Sequence, residues 1–312
     1  MTKAFSLRLA EAVLAKRCHL IVGLDPRPAL LPREITAKWR AELGNTMEAT
    51  AKATLEFNKG LIDALAEIVP AVKPQLACYE QLGVPGMEAF AATARYASER
   101  GLLVIADGKR ADIGSTAESY ADAYLGETTI SDLKARAFVA DALTVNPYLG
   151  PDSLEPLLTR CQTFGRGIFV LVKTSNPGGS LLQDLECGGR KVYEIVGEMC
   201  HALGRTELDE RGYSPVGAVV GATFPAEAER LRRIMPHNYF LVPGFGAQGG
   251  TARDVLPCFN PDGLGAVVNS AREIIFAYHK QGGDYRDAAR AAALASREAI
   301  NKALAEVNKL AW

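Results

Sequence analysis

The chain has 312 residues, of which 48% are hydrophobic and 23% are charged, a composition typical of a folded globular protein. The formal net charge of -1 and an isoelectric point near 6.5 give no electrostatic reason to expect nucleic acid or an anionic membrane as a partner.

The N-terminal segment MTKAFSLRLAEAVLAKR has the pattern of an amphipathic helix with charges throughout, which is unlike a signal peptide. No stretch of the sequence approaches the apolar length that is needed to span a bilayer. The six cysteines are scattered and form no C-x-x-C pair. We therefore expect buried free thiols and a cytoplasmic protein.

Eight short apolar runs recur along the chain, at 19–25, 71–77, 102–109, 142–148, 167–175, 216–223, 239–246 and 265–271. They are rich in Val, Ile and Leu and do not alternate cleanly with polar residues, which is typical of parallel strands covered on both faces. The segments between them have helical periodicity, among them 46–69 and 271–280. Eight strands alternating with helices predict an α/β fold, a (β/α)8 TIM barrel. An open doubly wound sheet is the structural alternative.

We expect one catalytic domain over residues 1–312, because the sequence contains no low-complexity linker. An extra helix precedes the first strand, and a long amphipathic helix over 284–310 closes the chain. The segment ETTISDLKARAFV, residues 127–139, is predicted to be an insertion without an assigned role.

Polar residues stand at the end of nearly every predicted strand. In a barrel, active-site groups collect where the strands run out into the following loops. The residues at these positions are Asp25, Lys73, Asp107, Lys109, Asn146, Thr174, Ser175, Thr223, Gln248 and Arg272. They predict a polar mouth on an apolar barrel.

The stretch LLVIADGKRADIGST, residues 102–116, places four charged residues within six positions at the end of a buried strand. Asp107 and Lys109 are two residues apart, so both are expected to project on the same side of the strand. Lys73 lies inside an apolar strand and needs a charged partner. Arg110 is expected to point the other way, which favours a structural role for it. Asp112 is compatible with a turn or a helix cap.

The segment GFGAQG, residues 244–249, fits the pattern G-x-G-x-x-G. A dinucleotide site has this pattern in its first strand–helix unit, whereas here it follows the penultimate strand. In a barrel, the loops after the last two strands commonly bind phosphate through backbone N–H groups. We predict a phosphate-binding loop in which Gly244 and Gly246 allow close backbone approach and Arg272 adds a bidentate contact.

Several other catalytic chemistries lack their sequence signals. The four histidines are dispersed without an H-E-x-x-H motif, and the sequence has no G-x-S-x-G elbow and no Walker A loop. His19 begins the first strand, where a structural role is favoured. The candidate chemistry therefore depends on lysines and aspartates together with a phosphate-binding loop.

The segment DGKRADIGST resembles the D-x-K-x-x-D-I signature of the orotidine 5′-monophosphate decarboxylases, which catalyse the last step of UMP biosynthesis. The segments VGLDPRP, AVKPQLACYEQLG, LVKTSNPGG, LVPGFGAQGG and VVNSAR occur in the order of that family. The pattern is closest to a bacterial subgroup with VKP and TSNP segments, and the resemblance covers nearly the whole chain.

The resemblance implies that the substrate is orotidine 5′-monophosphate, that the product is UMP, and that no metal or cofactor takes part. Lys109 would be the catalytic lysine, within an alternating charged array formed with Lys73, Asp107 and Asp112. Asp112 and Thr116 would reach into the site of a neighbouring subunit, which makes a homodimer the catalytic unit.

The resemblance also assigns contacts to the rest of the nucleotide. Asp25 and Lys73 would hold ribose hydroxyls, and Ser175 would hydrogen-bond the pyrimidine. Gln248 would span pyrimidine and phosphate as its loop closes, and Arg272 would bind the phosphate.

The implied reaction explains why charge stands at the end of a buried strand. Loss of CO₂ from C6 of the pyrimidine leaves a carbanion that no adjacent carbonyl delocalises. A preorganised ammonium aimed at C6 stabilises that charge, and Lys109 then donates the proton to C6. Asp107 and the neighbouring subunit's Asp112 keep Lys109 protonated, because nearby opposite charges favour its charged form.

Three alternatives remain open on the sequence alone. A magnesium-dependent decarboxylase of keto-sugar phosphates also has a D-x-K-x-x-D strand, but the segments TSNPGG and GFGAQGG argue against it. A Schiff-base aldolase needs a neutral amine, whereas flanking acids raise the pKa of a lysine. A non-catalytic nucleotide-binding protein would have lost a member of the charged array, and all four members are present.

Overall fold

Eight parallel strands form a closed barrel in a computed structural model that describes residues 2–246 and 249–312. The last strand pairs with the first, with Val268 opposite Leu20, and this pairing closes the sheet. The strands, numbered β1 to β8, are Leu20–Leu24, Ala71–Pro74, Leu103–Arg110, Ala142–Val145, Gly167–Lys173, Val216–Val220, Phe240–Val242 and Ala266–Ser270. The (β/α)8 barrel is confirmed, and the open-sheet alternative is wrong.

The amino end of the barrel is apolar and closed by the N-terminal helix, Phe5–Lys16. Phe5 packs edge-on against Phe169 of β5, with ring centroids 5.9 Å apart. His19 is fully buried at the start of β1 and lies against the ring of Phe259, so its environment is that of a core residue. Because this end is filled with side chains, the space inside the barrel opens only at the carboxyl ends of the strands within the described chain.

Helices surround the barrel and cover the outer faces of the strands. The α-helices are Phe5–Lys16, Arg33–Leu43, Met47–Leu65, Ala77–Glu80, Gly83–Glu99, Gly114–Tyr124, Glu155–Phe164, Ser180–Gln183, Val192–Gly204, Pro225–Ile234, Arg272–Ile275, Tyr278–Gln281 and Tyr285–Glu306. Short 3₁₀ helices lie at Pro28–Leu30, Pro151–Ser153, Pro177–Gly179 and Leu256–Cys258. None of the helices that the structure describes is long and apolar enough to cross a membrane.

The helices differ from the sequence prediction in two places. The segment 271–280 was expected to form one helix, but it forms two four-residue helices, Arg272–Ile275 and Tyr278–Gln281. Phe276 between them leaves the helical region, at φ -115° and ψ 20°. The helix Arg33–Leu43 was not predicted, because Ile35 is its buried residue and the rest of its sequence is mostly polar.

The predicted insertion at 127–139 contains an exposed antiparallel hairpin that pairs Thr128–Ile130 with Leu133–Ala135. A second hairpin pairs Glu186–Cys187 with Arg190–Lys191. Cys187 is therefore exposed, and Cys78 is half-buried. The expectation that all six thiols are buried is wrong at these two positions, although all six cysteines are free.

Candidate active site

A cavity of about 400 Å³ opens at the carboxyl ends of the barrel strands. Its lining combines charged, polar and apolar side chains: Asp25, Lys73, Gln75, Asp107, Lys109, Thr144, Leu171, Thr174, Ser175, Asn176, Val219, Leu241, Pro243 and Asn269. A larger cleft of about 520 Å³ lies elsewhere, beside the helix Arg33–Leu43, and Arg40 is its one charged lining residue among the residues described. The barrel cavity is therefore the candidate active site.

Asp107 lies at the centre of the charged lining, 6% exposed, and its carboxylate accepts four hydrogen bonds. Oδ2 accepts from Lys73 Nζ at 2.6 Å and from Gln75 Nε2 at 3.0 Å. Oδ1 accepts from Lys109 Nζ at 2.6 Å and from Thr144 Oγ1 at 2.8 Å. Two donors on each oxygen fix both the position and the rotation of this carboxylate.

The charges of this cluster shift one another's pKa. Burial by itself raises the pKa of Asp107, but the charges of Lys73 and Lys109 outweigh burial and hold it below its usual range. Burial by itself lowers the pKa of Lys73, but Asp107 and Asp25 outweigh burial and raise it. At neutral pH the buried pair is therefore an ammonium and a carboxylate.

Lys109 differs from its partners because its side chain is 46% exposed and reaches into the open part of the cavity. Its ammonium is held on one side by Asp107 and is free to meet a ligand on the other. Arg110 points away from the cavity, where it pairs with Glu80 and lies over the ring of Tyr120, 5.6 Å from its centroid. The expected direction of Arg110, away from the cavity, is confirmed.

Asp25 lines the cavity beyond Lys73, and its Oδ1 is buried without a hydrogen-bond donor among the described residues. Asn269 of β8 lies beside it and also has a buried, unpartnered Oδ1. A Cβ on Gly23 would lie 3.0 Å from the Asp25 oxygen and 3.3 Å from the Asn269 oxygen. Glycine at this position thus leaves room for both polar groups.

Ser175 lies on the segment that follows β5 and lines the same cavity. This segment folds back on its own strand through Lys173, whose fully buried Nζ donates to Asp184 Oδ1 at 2.6 Å. Gln183 adds two hydrogen bonds to Thr174, one to its backbone N–H at 3.0 Å and one to its Oγ1 at 2.7 Å. Lys173 and Asp184 are eleven residues apart, and this spacing does not allow their ion pair to be predicted from the sequence.

The glycine loop after β7 has the backbone conformation that its sequence predicts. Gly244 and Gly246 have φ values of 96° and 74°, which favour glycine. The Gly246 N–H donates to Gly250 O at 2.9 Å, so it is engaged within the loop. Arg272 begins a short helix after β8 and is exposed rather than part of the cavity lining. Gln248 lies outside the described residues.

Asp112 and Thr116 do not line the cavity of their own chain. Asp112 Oδ1 accepts a local hydrogen bond from the Ile113 N–H at 2.8 Å. Thr116 is exposed on the first turn of the helix Gly114–Tyr124. Lys73, Asp107 and Lys109 are thus brought together within one chain, whereas the fourth charged position lies apart from them.

Sequence reasoning did not select Gln75, Thr144, Asn176 or Asn269 as site residues, yet all four line the cavity. Gln75 had a usable signal, because it follows Lys73 by two residues and therefore shares its direction. Thr144 and Asn269 are polar residues inside mostly apolar strands, a pattern that marks either a buried hydrogen bond or a ligand contact.

A closed α/β barrel with lysines and carboxylates at the carboxyl end of its strands defines a class of barrel enzymes whose site acts on a small molecule. Residues 19–283 match the model of the Orotidine 5′-phosphate decarboxylase / HUMPS family. The chain belongs to this family.

Curated relatives match nearly the whole chain. Orotidine 5′-phosphate decarboxylase of Rhodopirellula baltica is 46% identical over 303 residues, which cover 95% of this chain and 98% of the relative. The enzyme of the same name from Caldicellulosiruptor saccharolyticus is 39% identical over 301 residues, covering 96% of this chain and 99% of the relative.

A solved structure shows the same architecture. The OMP decarboxylase of Leishmania donovani superimposes with a TM-score of 0.73 at 33% identity and covers 96% of this chain and 98% of that structure. The barrel fold and the family assignment therefore agree.

Proposed function

We propose that this protein removes CO₂ from orotidine 5′-monophosphate to form UMP, the last step of UMP biosynthesis. The observation that carries the proposal is the Lys73–Asp107–Lys109 array inside the barrel mouth, in a chain whose near full-length relatives are orotidine 5′-phosphate decarboxylases. The polar lining of the cavity suits a charged nucleotide, and the apolar side chains of Leu171, Val219 and Leu241 suit the face of a pyrimidine ring.

In the proposed reaction the bond between C6 and the carboxylate carbon breaks, and its electron pair stays on C6. The Lys109 ammonium stabilises that developing charge because it is already oriented by Asp107 before the reaction begins. Lys109 then transfers one proton to C6, which gives UMP, and recovers a proton from solvent through its exposed side. These steps need only groups of the protein and one proton from solvent.

The remaining site residues have proposed roles in holding the nucleotide. Asp25 and Lys73 bind ribose hydroxyls, which supplies donors to the unpartnered Asp25 Oδ1. Ser175 contacts the pyrimidine. Gln248 and Arg272 bind the phosphate, and Gly244 and Gly246 allow the loop backbone to approach it closely. The binding energy of the phosphate, far from C6, helps to close the loop over the reacting atoms.

Asp112 and Thr116 lie outside the cavity of their own chain, which supports a homodimer in which each subunit completes the other's site. The neighbouring Ile113 is 55% exposed, as a residue at a subunit interface would be in an isolated chain. Six free cysteines fit a reducing compartment, and we propose that the enzyme works in the cytoplasm as one catalytic domain.

The direct test mixes EDTA-treated protein with orotidine 5′-monophosphate, follows the loss of its absorbance and identifies UMP by chromatography. Rapid conversion without metal is the expected result. If the folded protein binds UMP but converts no substrate, the proposed activity is wrong, and keto-sugar phosphates with magnesium restored become the next substrates to assay.

A further inference from the structure

Thr144 of β4 makes two hydrogen bonds that join it to Asp107 and Lys109 of β3. Its Oγ1 accepts from the Lys109 backbone N–H at 3.0 Å and donates to Asp107 Oδ1 at 2.8 Å. The direction of both bonds is fixed, because a backbone N–H only donates and an ionised carboxylate only accepts. The side chain is buried, with 1% exposure, so water does not substitute for it.

These bonds occur where the barrel sheet is irregular. Ala106 of β3 stands opposite Leu143, and the next pair joins Arg110 to Val145, so three residues of β3 face Thr144 alone. This bulge turns the Asp107 and Lys109 side chains toward each other. It also takes the Lys109 N–H out of the regular strand ladder, and the Thr144 hydroxyl supplies its acceptor.

Lys109 has φ 48°, a left-handed conformation that is unfavourable for a residue with a Cβ. Such a conformation persists only where surrounding contacts hold it. The contacts at Lys109 are the backbone bond to Thr144 and the ammonium contact with Asp107, which itself is held by Thr144.

We propose that Thr144 is a positioning residue of the decarboxylation, holding the strained Lys109 backbone and the Asp107 carboxylate in one fixed arrangement. This inference rests on the proposed function of the same site. Thr144 acts through Lys109 and Asp107, so its hydroxyl matters more for the charge that develops at C6 than for binding of the nucleotide as a whole.

The test compares Thr144→Val, which keeps the shape of the side chain, with Thr144→Ser, which keeps the hydroxyl. Thr144→Val is expected to lower kcat for orotidine 5′-monophosphate about 100-fold while the Kd of UMP changes less than about threefold. Thr144→Ser is expected to retain kcat within about fivefold of the wild type. A UMP analogue with an oxyanion at C6 should lose affinity for Thr144→Val much more than UMP does.

Thr54→Val is the matched control, because Thr54 is also buried at 1% exposure and its Oγ1 has no hydrogen-bond partner among the described residues. Its kcat should equal that of the wild type. If Thr144→Val unfolds, the pair Thr144→Ser and Thr144→Ala provides the same comparison in a smaller side chain. Wild-type kcat in the variants that lack the hydroxyl, equal losses for UMP and the C6-oxyanion analogue, or a serine variant as slow as valine or alanine would each overturn the proposal.

Turnover by the wild type distinguishes failure of the proposed decarboxylation from failure of the role of Thr144. Failure of the wild type to convert orotidine 5′-monophosphate overturns the proposed function. An active wild type with an equally active Thr144→Val overturns the role of Thr144 alone.

Discussion

Asp107 determines the ionic state of the candidate site because it is the only carboxylate that contacts both lysines of the array among the described residues. Removing it leaves the Lys73 side chain, 6% exposed, without its carboxylate partner. A buried charge that loses its partner destabilises a fold far more than the intact pair stabilises it. Asp107 therefore contributes to folding as well as to the proposed catalysis.

The first prediction concerns the pH dependence of that contribution. The pKa of Asp107 lies below its ordinary value of 3.8, so its stabilising effect is complete above that pH and is lost as the pH falls through the lowered pKa. Asp107→Asn should lower the free energy of unfolding by about 3 kcal/mol at pH 7. The difference from the wild type should shrink by about 1 kcal/mol at pH 3. Urea unfolding at both pH values measures it.

Asp132→Asn provides the control for this measurement, because Asp132 is exposed at the turn of the first hairpin. Its stability should differ little from the wild type at either pH. A difference between Asp107→Asn and the wild type that stays constant from pH 7 to pH 3 would contradict the assigned ionisation of Asp107.

Lys109 is expected to be essential for turnover and dispensable for folding. Its side chain is about half exposed, and Asp107 keeps three other donors when the ammonium is removed. Lys109→Ala should therefore lower kcat by at least about 10³-fold while leaving the unfolding transition and the Kd of UMP close to wild type. Turnover assays, urea unfolding and calorimetry with UMP measure these three quantities, with Lys134→Ala in the exposed hairpin as the control. Turnover within about tenfold of the wild type would remove Lys109 from its role.

At the scale of single elements, the sequence predicts the strands better than the contacts between them. The eight apolar runs specify buried parallel strands, and polar residues at their ends locate the cavity, because both properties are local in sequence. The convergence of Asp107 and Lys109 was expected from regular alternation, but the structure achieves it through a bulge at Lys109. A bulge depends on the neighbouring strand, so the sequence of β4 marks Thr144 as a buried polar residue but does not reveal its bonds to Asp107 and Lys109.

The segment after β5 shows the same limit of prediction at larger sequence separation. The fully buried Lys173 lies over the ring of Phe224, 4.6 Å from its centroid, and contacts Asp184 eleven residues later. The contact between Lys173 and Phe224 joins the segment that carries Ser175 to the loop after β6. Two partners on different loops cannot be inferred from the spacing of residues in the chain.

Substitutions of Lys173 and of Asp184 should differ in how much they lower the free energy of unfolding. Asp184→Asn leaves a fully buried ammonium without its carboxylate and should cost about 3 kcal/mol of unfolding free energy. Lys173→Met leaves Asp184, which is 26% exposed and reachable by water, and should cost about 1 kcal/mol. Both variants should be cleaved faster by protease within residues 174–191 than the wild type. The reverse order of stabilities would show that Lys173 is held mainly by its aromatic neighbours.

At the scale of the whole molecule, the barrel has one closed end and one open end. The N-terminal helix fills the amino end with apolar side chains, and the charged residues collect at the carboxyl end. A single chain brings together Lys73, Asp107 and Lys109, but leaves Asp112 outside the cavity, next to the exposed Ile113. This arrangement supports a site that is completed by a second chain. A site shared between two chains predicts that certain pairs of inactive variants regain activity when they are mixed, whereas a site built from one chain predicts no recovery.

Two inactive variants should restore activity to each other if the sites are shared. In a dimer of one Lys109→Ala chain and one Asp112→Ala chain, one site collects both defects and the other has every native residue. Random reassortment of equal amounts should therefore recover about a quarter of wild-type activity, since half of the dimers are mixed and each has one intact site. The control mixes Lys109→Ala with Asp107→Ala, which lie in the same site and leave every mixed dimer with two damaged sites. Mixed dimers verified by mass that regain no activity would place Asp112 outside the partner's site.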